Sequence, residues 1–112
     1  MINLEEFKNK LLKEREEILL LLENLETQKE ELKEEPTYET SDYANIYEFR
    51  EEIHLQEESL RKRLTLIDKA LKKFEEGKYG ICENCGKEIE EIRLNLDPAT
   101  PYCRSCASKF LV

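Results

Sequence analysis

Leu32-Lys-Glu-Glu-Pro36-Thr-Tyr-Glu39-Thr-Ser-Asp42-Tyr-Ala44-Asn-Ile46 is the stretch on which the fold of this chain turns. Pro36 lacks a backbone N–H and clashes with the preceding helical turn, so a helix arriving from the N-terminal side must stop there. Walking outward from Leu32, the residues Leu25, Ile18, Leu11 and Leu4 recur at a spacing of seven, and walking outward from Ile46, so do Ile53, Leu60, Ile67 and Phe74. A seven-residue apolar period marks one face of a long helix that packs against another.

Folding the chain at about residue 39 closes both ladders on one register, with Leu4 opposite Phe74, Leu11 opposite Ile67, Ile18 opposite Leu60, Leu25 opposite Ile53 and Leu32 opposite Ile46. The expected fold is mainly α: a long antiparallel coiled-coil helical hairpin over 1–77, followed by a small C-terminal four-cysteine zinc finger over 78–112. Helix 1 is expected at about 3–35, the tip at about 36–41 and helix 2 at about 41–76, where Gly77 supplies a left-handed cap. At ~1.5 Å per residue the arm reaches roughly 45 Å.

The layers between the ladder rungs are more polar. Phe7 meets Leu71, but Glu14 falls opposite Leu64, Glu57 opposite Leu21, and Gln28 opposite Arg50. Such positions either fix the register or carry long side chains that snorkel to water, and snorkelling is the expected arrangement. Leu12, Leu19, Leu20 and Leu22 lie off the seam. They are covered either by the terminal segment around Phe110 and Leu111, at least at Leu12, or by a second copy or partner.

Composition narrows the function. Of the charges, 13 basic and 21 acidic side chains lie in residues 1–77, whereas 78–112 holds five of each. An acidic helical surface repels a polyanion, so direct sequence-specific DNA binding is not expected. The first residues lack a basic region ahead of an apolar stretch, and the longest apolar run is Ile18 to Leu22, so a cytoplasmic protein without membrane association is expected.

Cys82-Glu-Asn-Cys85 and Cys103-Arg-Ser-Cys106 form C-x2-C-x17-C-x2-C, the spacing of a four-thiolate zinc site. Each pair grips from one tight turn, with Gly86 following the second ligand where a strained backbone is needed. Four cysteine ligands leave no open coordination position, so one structural Zn2+ is expected and catalysis at the metal is not. Two disulfides, or a redox-active dithiol, are the alternatives. His54, the one histidine, lies beside the seam without an acid or nucleophile arranged around it, and no other catalytic constellation stands out. An enzyme is not expected.

Taken together, Tyr79-Gly80-x-Cys82-x-x-Cys85-Gly86, Ile89, Arg93-Leu94, Pro98 and the last cysteine pair resemble the DksA/TraR family of four-cysteine zinc finger proteins. The resemblance extends over the arm. It implies a bacterial transcription regulator whose hairpin enters the secondary channel of RNA polymerase and whose acidic tip, Asp-x-x-Asp-x-Ala, acts near the catalytic centre. Here the tip reads Glu39-Thr-Ser-Asp42-Tyr-Ala44, so Glu39, Asp42 and Ala44 are the implied partner-binding residues, with Glu39 in place of the family's aspartate. Read without the family, Thr40 or Ser41 caps helix 2 and Asp42 answers its dipole.

Family members can bind the alarmone ppGpp jointly with polymerase through basic residues. The matching positions here are Ser59, Leu66 and Ala107, none of them basic, so ppGpp binding is not carried over. The resemblance also implies anchoring to polymerase beyond the last cysteine, for which Phe110 and Leu111 are the candidates. A monomer is expected. Two other classes compete: a structural adaptor joined through the off-seam leucines, and a nucleic-acid-binding zinc ribbon on a dimerization arm. Light scattering and a salt-dependent gel shift, respectively, separate them.

Overall fold

A computed structural model describes residues 3–34 and 40–110 of the chain, with side chains for 3–32 and 45–110. Helix α1 spans Leu4–Glu34 and α2 spans Thr40–Glu76; two short helices follow, α3 over Glu91–Leu96 and α4 over Arg104–Phe110. The described residues hold no strand, only an isolated antiparallel bridge between Ile81 and Glu88.

Local chemistry sets the helix ends. Asn3 Oδ1 accepts the Glu6 N–H at 3.2 Å, and Glu5 and Glu6 place negative charge in the first turn, where the helix dipole favours it. At the end of α2, Gly77 adopts φ 70°, its N–H donates to the Phe74 carbonyl and the Lys78 N–H donates to that of Lys73, the left-handed cap read from the sequence.

Helices α1 and α2 pair as an antiparallel hairpin: as partners rise along α1 from Arg15 to Lys29 to Leu32, they fall along α2 from Asp68 to Glu57 to Arg50. By packing, the chain forms two compact units, one of residues 1–15 and 64–112, the other of 16–63.

In the first unit Phe7, Ile89, Leu94, Cys82, Cys103 and Cys106 form one buried cluster, with Phe74, Tyr79 and Tyr102 packed against it. Leu11, Ile67 and Ala70 are also buried, and Arg15 Nε sits 2.8 Å from Asp68 Oδ1 beside the Leu11–Ile67 layer. Leu4, the expected first rung of the ladder, is 49% exposed. It occupies the opening turn of α1, and the aromatic ring of Phe7, one turn further in, fills the core beside Tyr79 instead, with ring centroids 6.1 Å apart.

In the second unit Ile18, Leu25 and Ile53 are buried as the ladder requires. Snorkelling fails at Glu57, whose side chain is 2% exposed. Its expected apolar partner Leu21 is half exposed and lines an open groove with Gln56 and Leu60, and Lys29 closes the layer in its place, with Nζ 3.1 Å from Glu57 Oε1. Glu57 first, then Glu26, hold the Lys29 ammonium above its ordinary pKa by hydrogen bonding. At Arg50 the polar layer does reach outward: the exposed side chain donates from Nη2 to the Leu32 carbonyl at 3.2 Å.

Of the off-seam leucines, Leu12, Leu19 and Leu20 stay exposed. Phe110 stacks on Tyr102 with centroids 4.6 Å apart, and Leu111 lies outside the described residues. His54 is on the surface. No described helix is long and apolar enough to cross a membrane.

Candidate metal centre

The segment after Gly77 folds back on itself. Ile89 N–H donates to the Gly80 carbonyl and Cys82 N–H to that of Lys87, which closes a tight loop around Cys82-Glu-Asn-Cys85. Gly86 takes φ 75° at the point where the chain must leave the second ligand, and its N–H returns to the Cys82 carbonyl at 3.0 Å. This is the strained position anticipated from the sequence.

The second pair is delivered by α4, with Cys103 just before the helix and Cys106 within it. Arg104 N–H donates to Glu90 Oε1 at 3.1 Å, so a carboxylate from the loop between the pairs caps the helix that carries the last ligand. That carboxyl lies below the usual range because backbone N–H groups, its own first and then that of Arg104, hydrogen-bond to it. Glu83 N–H donates to the Pro101 carbonyl and joins the first loop to the approach of the second.

The four sulfurs of Cys82, Cys85, Cys103 and Cys106 all lie within 4.8 Å of one another, and Cys85 Sγ is 3.7 Å from Cys103 Sγ. A tetrahedral zinc with Zn–S near 2.3 Å places its sulfurs about 3.8 Å apart, whereas a disulfide would bring a pair to about 2.05 Å. The cysteines are free. Donor type, number and spacing therefore fit a single zinc ion and reject the disulfide alternative. Cys82, Cys103 and Cys106 are buried and Cys85 is exposed.

Burial works against the Cys82 thiolate, but hydrogen bonds from the backbone at Cys103, Cys85 and Asn84 and from the Cys106 thiol carry its pKa down to about 6. Cys106 moves the other way, to about 11: the Asn84 amide favours its thiolate, but burial and the three neighbouring thiols outweigh that.

The centre is fused to the base of the hairpin. Tyr79 stacks on Phe74 with centroids 3.9 Å apart, and its hydroxyl donates to the Pro98 carbonyl at 2.6 Å. Burial, then the charge of Asp97, push the phenol up to about 12. Lys73, in the last turn of α2, places Nζ 2.9 Å from Glu83 Oε1 between the first two ligands. Arg93 Nε donates to the Tyr102 carbonyl at 3.3 Å.

All four ligands were legible from spacing. Not singled out were Asn84, whose side-chain amide donates to Cys106 Sγ at 3.2 Å, and Glu90, the cap of α4. Polar residues between ligand pairs are common on any loop, and only the folded geometry shows where they turn. Of the tip residues, Asp42 and Ala44 belong to α2, with side chains outside the described set, and Glu39 lies outside the described residues.

Residues 77–110 match the prokaryotic dksA/traR C4-type zinc finger family. An uncharacterized protein of Aquifex aeolicus is 43% identical over 114 residues, spanning 95% of this chain and 74% of that one. The RNA polymerase-binding transcription factor DksA of Caulobacter vibrioides is 38% identical over 96 residues, 85% of this chain and 66% of its own length. Among solved structures, transcription factor DksA2 from Pseudomonas aeruginosa superposes with a TM-score of 0.84 at 30% identity, over 94% of this chain and 80% of that one. Hairpin, metal centre and likeness agree, and the chain belongs to the DksA/TraR family of C4-type zinc finger proteins.

Proposed function

We propose that this chain is a zinc-containing bacterial transcription regulator that binds RNA polymerase through its secondary channel, with the hairpin tip acting near the polymerase active site to modulate initiation. The observation that carries the reading is the likeness to transcription factor DksA2, which runs through helical hairpin and zinc finger alike. In this reading Glu39, Asp42 and Ala44 contact the polymerase and the zinc centre holds the base of the hairpin. The protein works in the cytoplasm as a monomer, by occupancy and electrostatics rather than by catalysis of its own, and without ppGpp, since Ser59, Leu66 and Ala107 offer no cation.

The charge balance supports a protein partner over nucleic acid. The finger carries as many acidic as basic residues and the hairpin is acidic, so phosphate neutralisation has little to draw on. The test is transcription in vitro by purified bacterial RNA polymerase from a ribosomal RNA promoter, comparing the zinc-loaded chain with its Asp42→Asn variant. The expected result is a change in output that the variant loses while still binding polymerase. Absence of both effect and binding would overturn the proposal.

A second reading, a structural adaptor, draws on the exposed Leu12, Leu19 and Leu20 of α1. It requires a concentration-dependent oligomer in light scattering that polar substitutions at Leu19 and Leu20 abolish.

A further inference from the structure

Between the first two ligands stand Glu83 and Asn84, and they turn to different partners. Glu83 meets Lys73 of α2, whereas the Asn84 side chain crosses from the first cysteine pair to the second and donates from Nδ2 to Cys106 Sγ at 3.2 Å. A four-thiolate zinc site carries two net negative charges, and the module around it has equal numbers of acidic and basic residues, so no excess of cations offsets them. An amide N–H aimed at one sulfur withdraws electron density from that sulfur alone. The remaining asymmetry is access: Cys82, Cys103 and Cys106 are buried and Cys85 is exposed.

We infer that Asn84 is a positioning residue of the metal centre, whose bond to the Cys106 sulfur lowers the reactivity of that thiolate, while the exposed Cys85 is the one that soft electrophiles modify first. With an alkyl halide the step is a simple displacement. The Cys85 sulfur forms a bond to carbon, the carbon–halogen bond breaks, and halide leaves. The product thioether is neutral and a poorer ligand, so alkylation at Cys85 opens the site. Asn84 acts on the Cys106 sulfur alone, which its amide protects electronically.

The experiment uses the zinc-loaded full chain and its Asn84→Ala and Asn84→Asp variants. Each is treated with limiting iodoacetamide, the modified cysteines are mapped by peptide mass spectrometry, and zinc release is followed with a chromogenic chelator. The parent should be alkylated first at Cys85. In both variants the rate at Cys106 should rise several-fold relative to those at Cys82 and Cys103, and zinc should leave about tenfold faster, as loss of a hydrogen bond to a charged group predicts. Asn84→Asp should be the more severe, because a carboxylate repels the thiolate.

The specific rise at Cys106 is what a merely structural role would not give. An unchanged Cys106 rate in Asn84→Ala overturns the inference. So does a parallel rise at all four cysteines, or a parent first modified elsewhere than Cys85.

Discussion

Lys29 Nζ lies 3.1 Å from Oε1 of Glu57, a carboxylate that is 2% exposed between two helices, while the other oxygen, Oε2, has Arg61 at 3.6 Å and no hydrogen bond among the described residues. A buried charge held by partial compensation is costly to orphan and cheap to replace. Glu57→Leu should leave the stability of the zinc-loaded chain unchanged or raise it by about 1 kcal/mol. Lys29→Met, which strands the carboxylate, should shift the urea midpoint clearly downward. Equal effects of the two substitutions in urea unfolding would contradict this asymmetry.

Removal of the metal should be felt in α1. Phe7 shares one buried cluster with Cys82, Cys103 and Cys106. Binding energy at a four-cysteine site is folding energy for the module around it. A chelator should therefore deprotect amides in residues 78–110 first, with those near Phe7 following before the second unit, residues 16–63, opens. Hydrogen exchange read by mass spectrometry distinguishes this from uniform loss.

Tyr79 combines a stacked ring and a donated hydroxyl. Tyr79→Phe should cost about 1 kcal/mol through the lost bond to Pro98, and Tyr79→Ala about 3 kcal/mol or more through the cavity. With its folded pKa raised to about 12, the phenol favours the folded state fully below the unfolded value near 10. That contribution fades as pH rises through the folded value. Difference absorbance of the parent against Tyr79→Phe should show this late titration.

Gly86→Ala should weaken metal retention without any clash. A Cβ at this position meets nothing within 4 Å, so the penalty is the φ of 75° alone, about 1–2 kcal/mol. The chelator concentration that strips half the zinc should fall accordingly, with helical content of the loaded protein unchanged.

What could be read from the sequence followed physical regularity. Leu11, Ile18, Leu25, Ile53 and Ile67 are buried where a period of seven put them, because periodicity survives any local detail. The cysteine spacing named all four ligands because two short loops can present sulfurs tetrahedrally in few ways. Leu4 misled because the first turn of a helix has no neighbour on one side, and a larger ring one turn later takes the core. Glu57 misled because its burial depends on Lys29 from the other helix and on Leu21 facing outward, neither visible in one strand of letters. Asn84 went unread because nothing in the ligand spacing tells which of two intervening side chains turns inward.

The cluster that joins Phe7 to Cys106 brings together residues from opposite ends of the sequence. During synthesis α1 leaves the ribosome long before its core partners exist, so Phe7 cannot complete its burial until Cys103 and Cys106 have emerged. Because such a distant closure is slow for a free chain, pairing of the hairpin first shortens the effective loop and makes the late step practicable. A chain short of zinc should therefore hold paired helices above an unfinished base, with Phe7, Phe74 and Tyr79 more open to a protease than in the loaded protein.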